Sequence, residues 1–192
     1  MLSTSMCGRY LFLSEKNERL KALAAAAKER LPKETYEKLS LFEVYPGSLS
    51  LAGVYDPASH KTVSRPMVWG LSSYDKKLII NARSETCFTS KFFADCRPCA
   101  MAASAYYEWS ANKTRYAFTT DEETFYLAGL WRYENGQMRF VILTEAANEE
   151  TSRIHHRQPV IFTYEKAKAW CASDTPSLLL KDSVVERYFS KA

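Results

Sequence analysis

Over most of the chain, hydrophobic residues either alternate with polar ones or run in short apolar blocks, and this spacing predicts strands more often than helices. Strands are expected over Cys7 to Leu13, Leu49 to Val54, Thr62 to Val68, Lys77 to Ile80, Cys99 to Ala103, Tyr106 to Trp109, Tyr116 to Thr119, Thr124 to Leu127 and Arg139 to Leu143. Helical spacing is confined to the margins of this pattern. Ser14 is placed to cap a helix through the alanine cluster Ala24 to Ala27, which must stop before Pro32 because proline lacks the N–H that a helix interior uses. Ala146 to Ile154, Tyr164 to Cys171 and a terminal stretch, Ser183 to Phe189, also read as helices. The predicted fold class is α+β, mainly β, with helices framing a strand-rich centre. No repeat or Ser/Gly/Pro-rich linker divides the chain, so residues 1–192 are expected to form a single domain.

Composition narrows the partners. With 46% hydrophobic residues and 14% aromatics in 192 residues, a sizeable core can be buried. A net charge of only +4 means that any nucleic-acid site must be a local basic patch. Five cysteines, an odd number, and the lack of a secretory pattern favour a reducing cytoplasm. The apolar stretch Leu20 to Ala27 contains Lys21 and is far shorter than the roughly 20 residues a membrane helix needs, so no membrane association is expected. Cys96-x-x-Cys99 has no second such pair and no suitably spaced histidine. It reads as core or surface thiols; no metal and no cofactor is expected, and the protein is expected to be a monomer.

Four short segments carry candidate chemistry. Cys7, between Met6 and Gly8-Arg9, is either a small buried hydrophobe at a strand start or a thiol activated by a nearby cation. If the chain began at Cys7, one residue would offer an α-amine with a pKa of about 8 beside a thiol. An aldehyde suits that pair, because the amine forms a Schiff base and the thiolate then closes a thiazolidine ring on the same carbon. Asn81 and Arg83 follow the apolar run Leu78-Ile79-Ile80 and project to one side; Asn81 serves equally as a turn starter. Glu108, among Tyr106, Tyr107 and Trp109, is either a solvent-facing residue of an alternating strand or a buried carboxyl with a raised pKa suited to proton transfer. His155-His156-Arg157 precedes Gln158-Pro159. It is a polar loop or a place where one of the two histidines shuttles protons, since adjacent side chains of extended backbone face opposite ways.

Six motifs stand in an order that resembles the SOS-response-associated peptidase (SRAP) family, which includes sensors of abasic sites. They are Cys7-Gly8-Arg9, Trp69-Gly70-Leu71, Asn81-Ala82-Arg83-Ser84-Glu85, Tyr107-Glu108-Trp109, Ala128-Gly129-Leu130-Trp131 and His155-x-Arg157-x-Pro159. The resemblance implies a mainly β, barrel-like fold with flanking helices and a basic groove for single-stranded DNA. It implies that Cys7, once N-terminal, joins the ring-opened abasic aldehyde through a thiazolidine. Asn81 would position that terminus or the sugar, Glu108 would assist proton transfer at the sugar oxygen, and His155 would promote Schiff-base formation and reversal. Arg9, Arg83, Arg157 and Lys91 would neutralise phosphates, Trp69 and Pro46 would support or wedge stacked bases, and Thr144 would hydrogen-bond the DNA backbone. The chain departs from the family pattern at Gln158, Ala105 and Pro98.

Met1 to Met6 precede Cys7, and an amide-linked cysteine cannot form a thiazolidine. They are expected to be removed, either because translation starts at Met6 and the methionine is trimmed, or because the protein cleaves its own leader. Two other functions fit the same residues. One is a thiol peptidase acting on other proteins, with Cys7 as nucleophile, His155 as base and Asn81 or Glu108 orienting it. The other is a single-strand binding module that forms no covalent bond.

Overall fold

The computed structural model describes residues 7–13, 17–180 and 185–192. Its strands in chain order are β1 (Arg9–Leu11), β2 (Glu43–Val44), β3 (Leu49–Asp56), β4 (Lys61–Trp69), β5 (Leu71–Ser72), β6 (Leu78–Ile79), β7 (Asn81–Arg83), β8 (Arg97–Ala103), β9 (Ala105–Trp109), β10 (Arg115–Thr119), β11 (Phe125–Glu134), β12 (Gln137–Ala146), β13 (Arg157–Pro159), β14 (Ile161–Phe162) and β15 (Tyr188–Lys191). The helices are α1 (Glu18–Arg30), α2 (Lys33–Glu37), α3 (Glu149–Ser152) and α4 (Tyr164–Ala172), so the chain is mainly β with helices at the margins. Among the described residues no helix is long and apolar enough to cross a membrane.

Two sheets share the core. A five-stranded sheet runs β15-β10-β9-β1-β2, and an eight-stranded sheet runs β13-β12-β4-β3-β8-β11-β14, with β7 added beside β12. Because β11 also pairs with β12, the larger sheet turns back on itself in a ring-like course. Gly129 of β11 lies where this sheet is tightest: a Cβ there would come within 2.6 Å of the Val141 carbonyl oxygen and 2.8 Å of the Met101 methyl. Only glycine fits such an approach without displacing backbone. The carbonyls of Gly129 and Cys99 both accept from the Trp170 indole N–H, at 3.3 and 2.9 Å, which pins α4 to the sheet.

Sequence signals and structure differ at the helix ends. The cap of α1 is Asn17, whose Oδ1 accepts from the Leu20 amide at 3.0 Å, while its Nδ2 donates to the Thr124 hydroxyl at 2.8 Å. Ser14, expected in that role, lies outside the described residues. Leu20, Ala24 and Ala27 form the buried stripe of α1, and the chain leaves the helix at Leu31, before Pro32 as expected. The stretch Ala146 to Ile154 yields only the four-residue α3, because β12 continues through Ala146 to pair with β13. The expected terminal helix is wrong over its described part: Tyr188–Lys191 is a strand that adds to β10. Helical spacing in Val185 to Phe189 loses to an open sheet edge that needs hydrogen-bond partners.

Candidate active site

The pairing of β1 with β9 sets Arg9 opposite Tyr107 and Tyr10 opposite Tyr106. Alternation along β9 then turns Tyr106 and Glu108 to the inner face of the five-stranded sheet and Tyr107 and Trp109 to the outer face. Cys7 enters β1 with φ at 31°, in the left-handed region, and is fully buried. From there its backbone N–H donates to Glu108 Oε1 at 2.8 Å. Glu108 is 1% exposed, and among the described residues no cation pairs with it. Burial pushes its pKa up to about 8, with the Cys7 N–H pulling the other way. The Cys7 thiol is raised well above its ordinary value, first by burial and then by the negative charge of Glu108, with Arg187 and the Arg9 amide opposing.

The other candidates belong to the larger sheet. Asn81 opens β7, which pairs in parallel with β12 so that Ile142 faces Asn81 and Thr144 faces Arg83. Asn81 Nδ2 is 3.5 Å from the Ile142 carbonyl oxygen, too long to tie the amide firmly, and the side chain is half-buried. His155 follows α3 and is 9% exposed. Its Nδ1 lies 3.1 Å from the Arg157 carbonyl oxygen and 3.2 Å from the Arg157 amide, donating to the one or accepting from the other according to the tautomer, and Nε2 is buried with no partner among the described residues. Burial lowers its pKa, helped by His156 and opposed by the Arg157 backbone, so the ring is held neutral near pH 7. A neutral imidazole with one free ring nitrogen can carry a proton either way.

A family profile described as "SOS response associated peptidase (SRAP)" matches residues 6–190. The chain belongs to the SRAP family. It is 28% identical over 179 residues to the abasic site processing protein YedK of Escherichia coli, covering 86% of this chain and 79% of that one. It is 28% identical over 184 residues to the abasic site processing protein YoqW of Bacillus subtilis, covering 86% and 80%. A crystal structure of a phage-related protein from Bordetella bronchiseptica superposes with a TM-score of 0.71 at 20% identity, over 97% of this chain and 94% of that one, a likeness of fold.

Within this SRAP chain the expected DNA-facing residues divide into three groups. Arg83 and Lys91 are exposed and make no ion pair among the described residues. Arg9 is paired with Glu43 at 3.1 Å and lies over the Trp109 ring. Arg157 is not available to a phosphate as it stands: it is 8% exposed, its guanidinium forks onto Glu85 at 2.6 and 2.8 Å, and Nη2 also donates to the Thr144 carbonyl at 2.6 Å. Arg157 holds the Glu85 carboxyl at about 2. Thr144 is fully buried beside that guanidinium and presents no hydroxyl to the surface.

Trp69, expected with Pro46 to support or wedge stacked bases, offers no exposed ring to them. It is fully buried, stacked on Phe140 at 6.1 Å and tilted against Tyr10 at 5.5 Å, with its indole N–H on the Ile80 carbonyl at 2.9 Å. It therefore joins β1 to the residue before Asn81, supporting both halves of the site from beneath. Gly70 follows with φ at 116° against the Leu78 side chain, a conformation and a space that suit glycine. Half-buried Pro46 begins the turn whose next amide, Gly47, donates to the Trp69 carbonyl at 2.8 Å. Gln158, a departure from the family pattern, is buried and bonded to the Asn148 amide and to Glu145, at 3.2 and 3.0 Å.

Sequence reading missed Arg187. It is 5% exposed, donates to the Pro159 carbonyl at 3.1 Å and approaches Glu145 at 3.6 Å, while its positive charge acts on Cys7 and Tyr106. Arg187 thus links the C-terminal segment, the inner face of the smaller sheet and β13. The only signal was an arginine beside two aromatics, in a stretch expected to be helical. Among the described residues no group of three or more His, Cys, Asp or Glu could hold a metal ion, and all five cysteines are free.

Proposed function

We propose that this protein captures abasic sites in single-stranded DNA covalently, through Cys7 after Met1 to Met6 have been removed. The observation that carries the reading is the 2.8 Å contact between the Cys7 nitrogen and a buried Glu108 carboxyl whose pKa is pushed to about 8. When Cys7 is the first residue, that nitrogen is the α-amine, with a pKa of about 8 in its free form. A carboxyl matched to the amine can accept its proton and return one to the oxygen that leaves. The names of the relatives, which are abasic site processing proteins, support the same substrate.

The steps follow from the groups present. The ring-opened abasic sugar presents an aldehyde at C1′. The neutral amine adds to that carbon, Glu108 takes the amine proton, and protonation of the carbinolamine oxygen lets water leave as the Schiff base forms. The Cys7 sulfur then adds to the same carbon, its proton passes to the nitrogen, and the thiazolidine closes with a net loss of one water. His155, neutral with Nε2 free, assists formation and reversal of the Schiff base, and Asn81 orients the terminus or the opened sugar. Arg83 and Lys91 hold phosphates without reading bases.

With Met6 still attached, the nitrogen is an amide and the thiol is buried and reluctant to ionise. The uncut chain is therefore a latent form. Intact mass spectrometry of protein beginning at Cys7, mixed with a single strand bearing one abasic site, should show the summed masses minus one water. The uncut chain under the same conditions should gain nothing. An adduct on the uncut chain, or none on either, would contradict the reading; capture that survives blocking of the α-amine would favour a thiol peptidase instead.

A further inference from the structure

The outer face of the five-stranded sheet, behind Glu108, carries charges that the chemistry at Cys7 does not use. Arg9 on β1, Glu43 on β2 and Arg115 on β10 meet there. Arg9 Nη1 donates to Glu43 Oε2 at 3.1 Å, and Arg115 Nη2 donates to Glu43 Oε1. Both guanidinium carbons lie over the Trp109 ring, at 5.5 and 5.9 Å from its centroid, and that of Arg115 is 3.8 Å from the centroid of Tyr107. The aromatic floor fixes the two forks so that they converge on one anion.

The anion they hold is a poor match for their capacity. Two cations meet one carboxylate, which leaves an excess of one positive charge. Each guanidinium has five donors and gives only one of them to Glu43, and the Nε of both is buried without a partner. All three side chains reach solvent, at 36% for Arg9, 29% for Arg115 and 37% for Glu43. A phosphodiester carries the same single charge as a carboxylate and likewise offers two equivalent oxygens. Near Glu43 in the chain, Phe42 and Tyr45 are 69% and 51% exposed, and exposed aromatic rings are the kind of surface on which bases of a single strand stack.

We infer that Arg9 and Arg115 form a subsite for one backbone phosphodiester of a single strand, and that Glu43 occupies this subsite in the free protein. The inference rests on the proposed reading of a single strand as ligand and adds Arg115, Trp109 and Glu43 to the residues that govern it. Binding exchanges one monoanion for another on the same pair of forks. Glu43 thus lowers affinity for any strand and makes a weakly held anion easy to reject.

Fluorescence anisotropy with a labelled, undamaged oligothymidine tests this on the full chain, independently of Cys7 chemistry. Glu43→Gln should tighten binding several-fold at low salt. Arg115→Gln should weaken it several-fold and make the log–log salt dependence shallower by about 0.7, the value for one lost phosphate on a single strand. The double variant should bind better than Arg115→Gln alone, because Arg9 is still freed from Glu43, and less tightly than Glu43→Gln. If Glu43→Gln disturbs folding, Glu43→Asp, too short to reach both arginines, should give a smaller gain in the same direction. A wild-type protein that binds the strand, with Glu43 variants that bind equally or more weakly, overturns the subsite. A wild-type protein that binds no strand at all overturns the parent reading along with it.

Discussion

Two carboxyl–nitrogen contacts in this protein, one half-exposed and one buried, look alike on paper and behave oppositely. Glu85 meets the Arg157 guanidinium through both oxygens, and its pKa drops to about 2. Glu108 meets only the Cys7 N–H, and its pKa rises to about 8. The first is a charge compensated in place, a strut that ties β13 to the end of β7. The second is a carboxyl whose proton is poised near neutrality because burial has no cation to offset it. Compensated charge holds a structure, whereas uncompensated charge is where proton chemistry can occur.

The largest effect that sharpens this contrast is at the nitrogen's own residue. In protein beginning at Cys7, Cys7→Ala should abolish the denaturation-resistant adduct with abasic DNA while leaving affinity for an undamaged strand nearly unchanged; denaturing gels and anisotropy report the two. Next, Glu108→Gln keeps an acceptor for the N–H but cannot move a proton. It should slow adduct formation roughly 100- to 10,000-fold, the usual range for losing a general acid–base group. Glu85→Gln should do the reverse, leaving the rate per folded molecule unchanged and lowering stability by about 1–3 kcal/mol in denaturant titrations. That is below the roughly 3–5 kcal/mol of a fully buried pair, because the Glu85 side chain is 48% exposed.

The two carboxyls also give stability opposite slopes with pH. Glu85 has a depressed folded pKa, so its contribution is present above the ordinary carboxylate range near 4.5 and is lost as pH falls toward 2. Glu108 has a raised folded pKa, so the folded state binds the extra proton between about 4.5 and about 8, and stability falls as pH rises through that window. In the uncut chain, Glu108→Gln should therefore be more stable relative to wild type at pH 8.5 than at pH 5, as thermal melts at the two pH values would show. The smallest effect is at the surface: Arg83→Ala should weaken strand binding a few-fold, equally for all base sequences, and make the salt dependence shallower by about 0.7.

Periodicity made most strands legible, because alternation is written locally in runs such as Leu49 to Val54 and Tyr106 to Trp109. Residue type and local setting picked out Cys7, Glu108, Asn81 and His155 as candidates, and the resemblance to the SRAP family assigned their roles. What periodicity could not supply is pairing. Whether Arg157 faces a phosphate or Glu85 depends on β7 lying beside β12, a contact between residues far apart in the chain. The support for stacked bases expected of Trp69 came from the resemblance alone, and its position between Tyr10 and Phe140, which no local pattern shows, places it in the core. Arg187 was hidden because its partners come from β13 and from the inner face of the smaller sheet. The helix expected over Ser183 to Phe189 failed for a related reason, since an exposed edge of β10 is a property of the sheet and not of the segment that covers it.

The central claim is that Glu108 manages the proton of the Cys7 nitrogen. It is tested most directly by the pH dependence of the single-turnover rate of adduct formation, compared between wild type and Glu108→Gln in protein beginning at Cys7. The wild-type rate should peak near pH 8 and fall on either side, because the reactive pair is a neutral amine beside a protonated carboxyl; without an ionisable carboxyl the rate levels off above pH 8. The Glu108→Gln rate should fall about tenfold per pH unit below the amine pKa of about 8, following the fraction of free amine in solution. Two profiles of the same shape would contradict the account.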